Sequence, residues 1–142
     1  MRQALSYAAD PDSVTARSDL AVIYEARGKL REAAVLYEQA IFSTPGGLAR
    51  ARMLANLGSL RLKLGNPTDA VVALGRSLEE IETAVGPTHP DMAHVLEIYE
   101  RALRKAGHRV QAIDAAQRAK AIRSSFAGQD NATRATVDCT RR

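Results

Sequence analysis

GPTHPDMAHVLEIYERALRKAGH, residues 86–108, reads as a single helix with a marked start and a marked stop. Gly86 and Pro87 form a turn. Pro90 opens the helix at an early position, where a missing N–H costs nothing, and Asp91 adds a favourable charge to the first turn. The helical pattern then runs unbroken to Gly107, which suits the left-handed conformation that ends helices. Nothing reactive lies between the two ends, so the stretch reads as one arm of a helical hairpin.

Working outward, Gly107 is the third of a series. Gly28, Gly65 and Gly107 each end a helical run, at intervals of 37 and 42 residues. Five residues after each stands an alanine (Ala33, Ala70, Ala112), and eight before each an apolar residue (Leu20, Leu57, Tyr99). Such a period marks a repeat architecture of stacked helix pairs. The alanine lets two backbones approach; a larger side chain would overpack the contact at roughly 1–3 kcal/mol.

The expected helices pair Ser13–Arg27 with Leu30–Ser43, Leu48–Leu64 with Pro67–Val85, and Pro90–Ala106 with Arg109–Ser124. In the first pair Leu20, Ile23 and Tyr24 face Ala33, Leu36, Tyr37, Ala40 and Ile41, one apolar stripe on each helix. Pro45 stops the second helix. No run of Val, Ile and Thr alternates as a half-buried strand would. The fold class is therefore all-α, with about three antiparallel helix pairs. The expected domain covers residues 1–127, with repeats at about 13–45, 48–85 and 90–124. Residues 128–142 are polar, lack helical periodicity and are expected to form a flexible basic tail.

Composition agrees. The 142 residues are 46% apolar, with 4% aromatics and no Trp, so Ala and Leu supply most of the core. The net charge of +4 is uneven: residues 1–100 carry 10 Lys and Arg against 13 Asp and Glu, residues 101–142 carry 10 against 3. A basic end favours an acidic partner. Cys139 is the single cysteine, which admits no internal disulfide and fits a reducing compartment. No apolar run approaches the ~20 residues that span a bilayer. No signal peptide is visible after Met1. The expected setting is cytoplasmic, with no membrane contact.

These residues resemble a tetratricopeptide repeat (TPR) array. The first pair carries Leu20, Ala21, Tyr24, Gly28, Ala33, Tyr37, Ala40 and Pro45, lacking only the early Trp, where Arg17 stands. The second keeps Leu57, Gly58, Gly65, Ala70 and Leu78, but has Arg61 where Tyr is usual and Ser77 where Ala is usual. The third keeps Gly107, Ala112 and Ala119, but has Glu100 where a small residue is usual. The longer period and the phrase GPTHPDMAHVLEIY are similar to the kinesin-light-chain type of repeat found widely in bacteria. RQALSYAADPDS, residues 2–13, resembles the end of a preceding second helix and its connection, so the expectation is either the C-terminal part of a longer array or an array opened by a short helix that lays Leu5 and Tyr7 on the first hairpin.

The resemblance implies a right-handed superhelical solenoid of these helix pairs opened by a short N-terminal helix, and a protein-interaction scaffold that binds a peptide or partner segment in its concave groove, without catalysis. The groove is lined by the first helix of each pair: Ser18, Asp19 and Val22, with Thr15 and Glu25; then Arg52, Asn56, Ser59 and Lys63, with Ala55; then His94, Glu97, Arg101 and Lys105. Asn56 can donate to and accept from a peptide backbone at once. Basic groups gathered in a concavity attract an anionic ligand, so the partner segment is expected to be acidic. Only Asn56 matches the residues with which TPR clamps hold acidic chaperone tails, so that narrower reading is set aside.

Two alternatives stand beside this reading. The first is a self-associating array fragment, a homo-oligomer through the N-terminal end, where an apolar face would otherwise stay uncovered. The second, weaker one is salt-sensitive nucleic-acid binding by the basic end, which lacks stacking aromatics beyond Phe126. Catalysis has little support. His89, His94 and His108 do not have zinc-ligand spacing, GNPTD after Leu64 is a turn rather than a phosphate loop, and Glu79, Glu80 and Glu82 read as a solvated helix face. No cofactor or metal is expected.

Overall fold

The computed structural model describes the backbone of residues 12–140 and the side chains of residues 14–128. The expected contacts of Leu5 and Tyr7, and the side chain of Cys139, lie outside them. Six helices follow one another: α1 (Asp12–Ala26), α2 (Leu30–Phe42), α3 (Leu48–Lys63), α4 (Pro67–Val85), α5 (Pro90–Lys105) and α6 (Arg109–Thr140). Among the described residues every regular element is an α-helix.

Each hairpin turn closes in the same way. The N–H groups of Gly28, Gly65 and Gly107 bond back to the carbonyls of Glu25, Leu62 and Arg104. Those of Lys29, Asn66 and His108 reach the carbonyls of Tyr24, Arg61 and Leu103 at 2.8 Å. This paired pattern satisfies the orphan carbonyls of a helix end and requires φ > 0 at its central residue. The three glycines have φ of 78°, 80° and 89°. Four residues after each of Lys29, Asn66 and His108, the alanine N–H bonds to that residue's carbonyl, so the next helix is already under way. Ala33, Ala70 and Ala112 are fully buried, as close backbone approach requires.

The longer connection is capped differently. His89 accepts the Asp91 N–H on its Nδ1 at 3.1 Å, a histidine acting as N-cap of α5. The GPTHPD phrase therefore has a structural use for both its His and its Asp.

The pairs α1–α2, α3–α4 and α5–α6 stack in order, α2 on α3 and α4 on α5, and α3 also touches α5. Two apolar clusters result, and α3 belongs to both. Its Met53, Leu54, Leu57 and Leu60 join Ala21, Ala33, Tyr37, Ala40 and Ile41. Its Ala51 and Ala55 join Leu74, Leu78, Ile81, Met92, Leu96 and Leu103 of α4 and α5. A fully buried Leu or Ile is worth about 1.5–3 kcal/mol, whereas an exposed ion pair is worth about 0–1 kcal/mol. Apolar contact holds the stack; the charges orient it.

The contact between first and second helix is filled in three ways. Where repeat two has Gly58 against Leu74, repeat one has Ala21 and Tyr37, and repeat three has Glu100 and Ala116. A Cβ on Gly58 would lie 2.5 Å from the Leu74 Cγ. At Glu100 the small residue has moved to the partner helix, so the larger side chain fits; its carboxylate bonds to Arg104 at 2.9 Å. Ser77, fully buried where alanine is usual, donates to the Ala51 carbonyl at 2.6 Å and ties α4 to α3. Arg61, standing where Tyr is usual, bonds to Glu38 on α2 and to Asp69 on α4.

Two expectations are corrected. The apolar stripe of α1 is only partly covered: Ala21 is buried, but Leu20 is 38% and Ile23 46% exposed. Their counterparts Leu57 and Leu60 on α3 are buried under α2, and α1 has no such preceding helix among the described residues. The last helix, expected to end near Ser124, continues through Gly128 to Thr140. One interior Gly costs about 1 kcal/mol relative to Ala, and no proline follows to stop the ladder.

Gly58→Ala gains helix propensity but forces Leu74 to move. It should destabilise the fold by about 1–3 kcal/mol in urea unfolding. Combined with Leu74→Ala the two losses should be clearly less than additive; additive losses would show that the contact is not tight.

Candidate interaction groove

The first helices α1, α3 and α5 form one layer, and charge pairs link them across it. Lys63 on α3 bonds to Glu25 on α1 at 2.8 Å. Arg52 on α3 bonds to Asp91 on α5 at 3.1 and 3.2 Å. At the far side Glu97 on α5 accepts from Arg123 on α6, Nη2 to Oε2 at 2.9 Å. The Arg123 hydrogen bond, helped by the charges of Arg123, His94 and Arg101, holds the Glu97 carboxyl below the usual range.

The expected groove residues take these places. Asp19 and Val22 are exposed on α1 and Ser18 is half-buried. Arg52, Asn56 and Lys63 are exposed on α3 and Ser59 is half-buried, whereas Ala55, expected on this face, is buried in the apolar cluster of α3, α4 and α5. His94, Arg101 and Lys105 are exposed on α5 and Glu97 is half-buried. Three of them, Arg52, Lys63 and Glu97, are engaged by charges on neighbouring helices. Arg101 and Lys105 have no carboxylate within ion-pair distance among the described residues.

Sequence reasoning missed the partners. Asp91 reads in the sequence as a helix-dipole residue and Arg123 as part of a basic end, yet both complete the charges of this face. Opposite charges at Glu25 and Lys63, near the ends of successive first helices, were the available signal. Tyr37 was missed as well. It reads as core, and it is 1% exposed, but its hydroxyl donates to Glu25 Oε2 at 3.4 Å. Burial first, then the charge of Glu25 and the hydrogen bond to it, push the phenol up to about 12, while the Asn56 side chain beside it acts the other way. Asn56 itself is exposed on α3, on the side where Tyr37 meets Glu25.

Among the described residues no group of His, Cys, Asp or Glu side chains converges as a metal site would, and no helix is long and apolar enough to cross a membrane.

Comparison with known proteins agrees with the fold. A tetratricopeptide repeat family model matches residues 49–125, more than half of the chain, and a second matches residues 13–41. The chain belongs to the tetratricopeptide repeat family. Among solved structures it is similar to BtubC (BKLC) from P. vanneervenii, with a TM-score of 0.77 at 23% identity over 89% of this chain and 55% of that one. A candidate kinesin light chain of nearly identical TPR-like repeats from Podosopora anserina follows, with 0.67 at 22% over 82% and 57%. The globular C-terminal domain of P. aeruginosa LpoP gives 0.64 at 27% over 75% and 94%. The chain thus spans little more than half the length of the first two. No curated protein sequence matches.

The Tyr37 assignment has a spectroscopic test. A raised phenol pKa means that the folded state keeps a proton the unfolded chain loses near pH 10. Its stabilising contribution is complete below that pH and is lost as the pH rises toward 12. The 295 nm titration should contain a component with midpoint near 12 that is missing in Tyr37→Phe. Identical curves would remove Tyr37 from the buried network.

Proposed function

We propose that the array is an interaction scaffold whose first-helix face holds an extended segment of a partner protein, and that this segment is acidic toward the α5 end. The carrying observation is the distribution of charge that remains after pairing. Arg52 and Lys63 are neutralised by Asp91 and Glu25, while Arg101 and Lys105 stay open, with His94 exposed on the same helix. An attractive potential is then concentrated at one end of the face rather than spread along it. Asn56 takes the backbone of the segment at the middle, with Ser59 beside it. Ser18, Asp19 and Val22 take its neutral or apolar end. Glu97, held by Arg123, borders the basic end without cancelling it. The family works in general by binding proteins and not by catalysis, and the reading assigns no cofactor. The setting proposed with it is cytoplasmic.

A second reading, assembly of copies through the α1 end, is favoured by one observation, the exposure of Leu20 and Ile23. One experiment separates the two. Wild type and Asn56→Ala/Arg101→Glu are used as bait in a pull-down from source lysate, and both are sized by light scattering. Peptide capture predicts a protein whose retention falls about tenfold or more in the variant, the scale of one or two lost charged hydrogen bonds, with fold and size unchanged. A stable dimer with no groove-dependent partner would favour the α1 end.

A further inference from the structure

A second surface lies on the opposite side of the array. Between the second helices α2 and α4, over the back of α3, there is a cleft of about 600 Å³, within the range of small binding sites. Leu54 and Leu57 form its floor with Ala73, and Phe42 and Val72 stand at its sides, 93% and 60% exposed. Arg61 bridges Glu38 and Asp69 among the lining residues, and Arg50 is engaged by Glu80 through Nε at 2.6 Å. Arg76 lines the same cleft and has no carboxylate within ion-pair distance among the described residues.

The next junction shows what fills such a place. Leu57 and Tyr99 occupy the same repeat position, eight residues before Gly65 and Gly107. At the second junction the Tyr99 hydroxyl lies 3.9 Å from where a Cβ of Gly75 would stand. At the first junction the side chain is a leucine, smaller by most of a phenol ring, and the space above it is open.

We propose that this cleft is a second docking site, independent of the first-helix face, for a segment of another protein that presents a large apolar side chain beside a carboxylate. The apolar group enters between Phe42 and Val72 onto Leu54 and Leu57, where the next repeat supplies its own tyrosine ring. The carboxylate completes Arg76, the one lining arginine whose charge is not already matched. An exposed aromatic next to arginines over an apolar floor is the residue chemistry of interface centres, where a few such anchors carry most of the binding energy.

The test is an NMR titration of the full chain, ¹⁵N-labelled, with the acetylated, amidated peptides AEFEA, AQFQA and AEAEA. AEFEA should shift amide signals of α2 and α4 around the cleft, with Kd on the order of a millimolar. AQFQA and AEAEA should bind several-fold more weakly. Arg76→Glu, at an exposed position, should weaken AEFEA about tenfold while Asn56→Ala/Arg101→Glu leaves it unchanged. Leu57→Tyr, which places the ring of the second junction at the same repeat position, should close the site; Arg76→Glu carries the test if that variant folds poorly. Shifts confined to α1, α3 and α5, or AEFEA binding indifferent to Arg76→Glu, would overturn the proposal. So would a concentration-dependent dimer in light scattering that disappears in Phe42→Ser, since the occupant would then be a second copy.

Discussion

Two helices of a pair can lie close enough to share a core only if one of the residues between them is small. Ala33, Ala70 and Ala112 provide that at the turn end of each hairpin, and all three are fully buried. The turn must deliver each alanine to the same place, and it does so by a fixed hydrogen-bond pattern about a glycine of positive φ. An L side chain at those glycines would meet no neighbour within 4 Å, so the constraint is conformational and not one of space. Farther along the pair the requirement is for summed volume: Gly58 takes Leu74, and Glu100 is admitted because Ala116 has become the small partner. Everything else in the stack rests on these approaches, including the two-sided burial of α3.

Much of this was legible because it is local. The interval from Gly to Ala, the prolines that open α4 and α5, and the small residues of each contact all sit within one hairpin of sequence. The departures from the repeat pattern were equally visible at Arg61, Ser77 and Glu100, but not their resolution. Ser77 gains a carbonyl on α3, and Arg61 gains carboxylates on α2 and α4. Such partners are set by how helices stack, which no single-helix periodicity encodes. The end of α6 was illegible for another reason. Absence of an apolar stripe is evidence about packing and not about backbone conformation, and the helix continues to Thr140.

The candidate groove was legible as a list of positions but not as a field. Counting formal charges along α1, α3 and α5 predicts a gradient from neutral to basic. The structure removes Arg52 and Lys63 from that count by pairing them with Asp91 and Glu25, groups 39 and 38 residues away in sequence. Such partly exposed pairs stabilise the fold little. Their larger consequence is electrostatic: they erase positive potential over α3 and leave it at Arg101 and Lys105. The same bookkeeping on the other side of the array leaves Arg76 unmatched among lining arginines that are otherwise engaged. Which cations remain open is a tertiary property.

The two faces also differ in how rigidly they are held. The first-helix face is crossed by Glu25–Lys63 and Arg52–Asp91, and Tyr37 anchors its middle from within the core. A ligand there meets preorganised polar groups and need order little besides itself, which is where affinity is otherwise lost. The cleft between α2 and α4 is spanned at Arg61, but no comparable bond crosses it at Phe42 and Val72. Its floor belongs to α3, the helix shared by both apolar clusters, so a ligand seated on Leu54 and Leu57 would bear on the same helix that carries Arg52, Asn56 and Lys63 on its other side. Because α3 is packed on both flanks, it resists displacement from either face. Two surfaces that share one rigid helix should therefore bind additively, each occupied without cost or benefit to the other.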